Sequence, residues 1–79
     1  MHNTMFFSGQ LLQEARERVG LTQTQVAAHL VLRGIRKTIS KQSVSQWEDD
    51  KYIPGANVVP ALASILGVEE KEFFKSKGS

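Results

Sequence analysis

Cysteine is missing from all 79 residues, which excludes a disulfide scaffold and leaves a structural zinc site only His2, His29 and carboxylates to draw on. Neither histidine has a partner at ligand spacing, so no metal and no cofactor is expected. A Gly-rich phosphate loop is also missing, and nucleotide binding therefore has no support. No apolar run approaches a membrane span, and residues 1–8 carry no basic segment ahead of an apolar one. A soluble cytoplasmic domain is the expectation. Alternating strand runs and hairpin signals do not occur either, and the expected fold class is all-α. The last absence is of one charge sign: no acidic residue lies between Arg18 and Trp47.

That gap matters because the charges are unevenly divided. Up to Trp47 there are six basic and two acidic residues; from Glu48 onward there are four basic and six acidic. A polyanion facing the stretch from Arg18 to Lys41 meets five positive charges and no repulsion. The alternative is an ordinary solvated basic surface. At 41% hydrophobic residues the chain is apolar enough to fold, and its size allows one domain with a stability of about 4–12 kcal/mol.

The hydrophobic spacing is helical throughout. Leu11, Leu12, Ala15 and Val19 form one stripe, with Ser8 as N-cap and Gly20 as the terminating residue, which predicts a first helix over 9–19. Thr22 and Gln25 read as a capping box opening a second helix, with Val26, Ala27 and Leu30 inside and Gly34 able to stop it near Leu32 or Arg33. Ser40 is the next N-cap. In the third helix Val44 and Trp47 fall on one side, and Tyr52-Ile53-Pro54-Gly55 is a strong break after it. Asn57 caps a fourth helix whose first turn tolerates Pro60, with Val59, Leu62, Ala63 and Leu66 as its apolar face and Gly67 as its end. A short fifth helix is expected over Glu69 to about Lys75, carrying Phe73 and Phe74. The resulting division is an N-terminal extension (1–8), a helical domain (9–75) and a flexible tail (76–79).

The second and third helices carry the chemistry. The front of the third is Lys41, Gln42, Ser43, Ser45 and Gln46, where a solvated helix would normally carry Glu–Lys pairs. Amides, hydroxyls and one lysine suit the mixed donors and acceptors of a DNA groove: glutamine pairs bidentately with adenine, lysine donates to guanine, and serine serves either. The alternative is a polar surface helix with no partner. The second helix opens with Gln23 at a positively polarised end that suits a phosphate oxygen. Trp47 has an aromatic face suited to stacking on a base, but its register with Val44 points inward.

Taken in order, Gly20-Leu21-Thr22-Gln23, Val26-Ala27, Leu30, Ile39 through Glu48, Pro54 and Leu62-Ala63-Ser64-Ile65-Leu66-Gly67-Val68 resemble the phage-repressor (Cro-like, Xre) helix-turn-helix family. The resemblance covers roughly Gln10 to Phe74. It implies a five-helix domain whose third helix enters the major groove of double-stranded DNA, usually as a two-fold homodimer, in a transcriptional regulator of repressor type. By position it implies base reading by Lys41, Gln42 and Gln46, groove or backbone proximity for Ser40, Ser43 and Ser45, and a phosphate contact at Gln23. It also implies a structural ion pair between Arg16 and Glu48.

The turn between the second and third helices departs from the family. One residue normally separates the positions of Leu30 and Ile39; here Val31 to Thr38 intervene. That insertion holds Arg33, Arg36 and Lys37, and reads either as an added phosphate clamp, with the second helix lengthened by a turn, or as a basic loop in solvent. No catalytic set can be assembled, so an enzyme is not expected. The competing function is a protein-interaction module on the same fold, an antitoxin or coregulator, which the acidic Glu69, Glu70 and Glu72 favour slightly. Met5-Phe6-Phe7 and the phenylalanines of the fifth helix are the candidate dimer surfaces, unless they fold into their own core.

Overall fold

The computed structural model describes residues 4–76. It builds four helices, α1 (Gly9–Val19), α2 (Gln23–Leu32), α3 (Lys41–Glu48) and α4 (Val58–Leu66), then a 3-10 turn at Glu70–Phe73. The ends of α1 follow from its flanks: the Ser8 hydroxyl accepts from the Leu11 N–H at 3.3 Å, and Gly20 adopts the left-handed conformation at φ 86°. Leu12 and Ala15 are buried, whereas Val19, on the same stripe, is exposed as the last residue of the helix. The capping box of α2 is complete, with the Gln25 N–H donating to Thr22 Oγ1 at 3.1 Å and the Thr22 N–H donating to Gln25 Oε1 at 2.8 Å.

The insertion lengthens α2 only to Leu32, less than a turn. Gly34, at φ 74°, then turns the chain, and irregular backbone runs from Arg33 to Ser40. Ile35 and Ile39 pack partly buried against the core and pin this loop, so Arg36, Lys37 and Thr38 are left as its exposed tip. At the start of α4, Asn57 occupies the cap position but makes no side-chain bond; the Gly55 carbonyl accepts from the Val58 N–H at 2.8 Å instead.

Two expectations are corrected here. The fold is mostly helical rather than all-α, because strands β1 (Met5–Phe7) and β2 (Phe74–Ser76) pair antiparallel, Met5 with Ser76 and Phe7 with Phe74. The fifth helix is absent: the segment makes the single 3-10 turn and then extends into β2. Both differences have one cause, the aromatic packing of Phe7 against Phe73 and Phe74 at ring-centroid distances of 6.0 and 5.8 Å. Burying Phe73 completely outweighs the helical tendency of Glu-Glu-Lys-Glu, and a strand of three residues is too short to show a period in sequence. Phe73 and Phe7 are therefore core residues of the chain itself, while Met5 and Phe6 remain exposed. His2 and the tail residues Lys77, Gly78 and Ser79 lie outside the described residues.

The core is filled by Leu12, Val26, Leu30, Val44, Trp47, Val58, Leu62 and Phe73, drawn from all four helices and the 3-10 turn. At its edge α1 meets the end of α3 backbone to backbone. A Cβ on Gly9 would overlap the carbonyl oxygens of Trp47 and Glu48, and the Gly9 N–H donates to Asp50 Oδ1 at 2.8 Å. Asp50 sits at φ 60°, a conformation that Asp tolerates better than most residues. Because the obstacle is main chain, Gly9→Ala must push α1 away from α3. It is expected to cost about 1–3 kcal/mol, read as a lowered midpoint in urea unfolding.

Candidate nucleic-acid interface

The amphipathic spacing of α3 is realised fully. Val44, Trp47 and Glu48 are buried, Lys41 and Gln42 are exposed, and Ser43, Ser45 and Gln46 are half-buried along the outer side. Ser40 stands at the N-cap position in extended conformation, but its hydroxyl makes no capping bond; only its carbonyl is used, accepting from the Ser43 N–H at 3.1 Å. α3 packs against both α1 and α2 through its buried side, which fixes the direction in which Gln42 and Gln46 point.

Behind this front lies a charged node. Arg16 Nε donates to Glu48 Oε2 at 2.6 Å and its Nη2 donates to Oε1 at 3.1 Å, while its Nη1 donates to the Leu21 carbonyl at 2.9 Å. The two side chains are only 12% and 3% exposed. The hydrogen bond to Glu48 holds the Arg16 guanidinium above its ordinary range, with burial pulling the other way. The positional pairing of Arg16 with Glu48 is therefore present in the geometry, bidentate and nearly dry. Gln23 joins the same node: its Nε2 donates to Glu48 Oε1 at 2.9 Å. Its amide is thus partly committed to the fold, and one of its two side-chain N–H groups is left for any outside acceptor.

The polar front of α3 lies between two shallow depressions. One, at the start of α2, is lined by Arg16, Leu21, Thr22, Gln23, Thr24 and Lys41. The other is lined by Arg36, Ser43, Gln46, Trp47, Tyr52 and Ile53. The three basic residues of the insertion are separated by the fold. Arg36 borders α3, Lys37 is exposed on the loop tip, and Arg33 is turned the other way, with its Nη1 donating to the Ser64 hydroxyl on α4 at 3.0 Å. Sequence reasoning treated Tyr52 and Ile53 only as a helix break; the signal for more was two large apolar residues in a segment with no helical period to bury them.

A family model described as a helix-turn-helix domain matches residues 9–73. The chain belongs to the helix-turn-helix domain family. Comparison with curated proteins and with solved structures gives no match. In a helix-turn-helix domain the second helix of the pair is laid in the major groove while the first crosses the backbone, so the partner class is DNA. Here α3, with its outward amides, is the helix in the second position, and the long 33–40 connection replaces the usual tight turn. Among the described residues no group of His, Cys, Asp and Glu is placed to hold a metal ion, and no helix is long and apolar enough to cross a membrane.

Proposed function

We propose that this helix-turn-helix domain is a sequence-specific regulator of the phage-repressor (Cro-like, Xre) kind, acting in the cytoplasm by occupying double-stranded DNA rather than by catalysis. The observation that carries the reading is the orientation of α3: Trp47 is 4% exposed and turned inward, which leaves Lys41 and Gln42 exposed and Gln46 half-buried on the outer side. Those three read base edges. Ser40, Ser43 and Ser45 flank them, and Gln23 offers its remaining N–H to a phosphate on one side of the groove. Arg36 and Lys37 meet phosphates on the other side, so the insertion is a clamp. Arg33 is not part of it, being held on α4. A single α3 makes a small contact surface, so a homodimer on half-sites about 34 Å apart is the proposed working form.

Fluorescence anisotropy on a random duplex at 50 and 200 mM salt tests the reading. Binding in the micromolar range that weakens steeply with salt is expected. No binding at 50 mM salt overturns it in favour of a protein partner, the antitoxin or coregulator reading. Arg36→Ala combined with Lys37→Ala should weaken binding to every sequence and flatten the salt slope by about 0.9 per lost phosphate contact. An unchanged slope would remove the insertion from the interface.

A further inference from the structure

Tyr52 and Ile53 are 62% and 76% exposed, yet the loop that carries them is firmly held. The Lys51 and Tyr52 N–H groups donate to the Gln46 carbonyl at 3.0 and 3.4 Å, Pro54 is buried, and the Gly55 carbonyl accepts from Val58 N–H at 2.8 Å. Two large apolar side chains are thus presented to solvent by a fixed backbone. Single exposed apolar residues are common; this pair shares a depression with Gln46, Ser43 and Arg36, on the flank of the helix argued above to read bases. The apolar area is confined to Tyr52, Ile53 and the edge of the buried Trp47 among polar and cationic walls, too little for a stable protein contact. It matches a small apolar group within a polar, anionic surface. The major groove offers one such group on its base edges, the 5-methyl of thymine.

Resting on the reading of α3 as the base-contacting helix, we propose that Ile53, backed by Tyr52, receives the methyl group of a thymine beside the base read by Gln46. The 52–53 loop is then a specificity element outside the helix itself.

The test uses the full chain. A bound duplex is obtained by in-vitro selection, and each of its thymines is replaced singly by deoxyuridine, which removes only the methyl. For the wild type, one replacement should weaken binding about fourfold, the transfer value of one methyl group. Ile53→Ala should weaken binding to the thymine duplex by a similar factor and become indifferent to that replacement, with an unchanged thermal midpoint, while Ile53→Val retains the sensitivity. Ile53→Ala that leaves affinity unaltered, or that weakens thymine and deoxyuridine duplexes alike, overturns the proposal; the second result assigns Ile53 to a sugar contact. A wild type that selects a sequence but ignores every thymine methyl overturns this inference alone. One that binds no duplex overturns the DNA reading with it.

Discussion

Arg16→Ala is expected to destabilise the domain by about 3–5 kcal/mol, because it strands Glu48 with its charge buried and only the Gln23 amide to answer it. Against a total of about 4–12 kcal/mol, that is a quarter or more of the stability. Chemical denaturation followed by far-UV circular dichroism reads the loss directly. Two further variants separate the charge from the geometry. Arg16→Lys keeps a cation but cannot make the fork that spans both Glu48 oxygens and the Leu21 carbonyl, so it recovers only part of the loss. Replacing both partners, Arg16→Met with Glu48→Leu, removes the stranded charge and should recover most of it. If Arg16→Ala melts like the wild type, the node is not what ties α1 to α3.

Trp47→Ala carries a comparable cost, about 3–5 kcal/mol. The indole is 4% exposed and fills the space where α3 meets the core, so truncation leaves a cavity that backbone contacts between Gly9 and the end of α3 prevent from collapsing. Thermal melting by far-UV circular dichroism is the measurement, since the substitution removes the only tryptophan. A loss below about 1 kcal/mol would mean that the ring is not part of the core, and would reopen base stacking as its role. Trp47→Phe, which keeps an aromatic ring, should lose far less.

The first four helices, and the caps of α1 and α2, were legible because each is written in neighbouring residues, whereas Ser40 and Asn57 make no side-chain capping bond. Ser8 with Gly20, and Thr22 with Gln25, are local grammar, and they bound α1 and α2 as read. The outward face of α3 was legible for the same reason: Val44 and Trp47 set the phase of everything between them. What was not legible depends on partners distant in sequence. The β1–β2 pair needs Phe7 and Phe74 to meet across the whole domain, and neither segment is long enough to announce a strand. The tie between Asp50 and Gly9 spans 41 positions and involves a residue in a conformation that no local pattern demanded. In the candidate site, grouping Arg33 with Arg36 and Lys37 followed from adjacency in the chain. The path of the loop separates them: across its turn at Gly34, Arg33 is hydrogen-bonded to Ser64 while Arg36 lies beside α3.

Zipping residues 5–7 to 74–76 has a consequence for how the molecule is made. Phe7 emerges early in synthesis, but its aromatic neighbours Phe73 and Phe74 come nearly seventy positions later. Until they leave the ribosome the nascent chain has no lid for this end of its interior, and the entropy of closing so long a span is met only at the finish. Folding should therefore be an all-or-none event that waits for this closure rather than a stepwise accretion of helices.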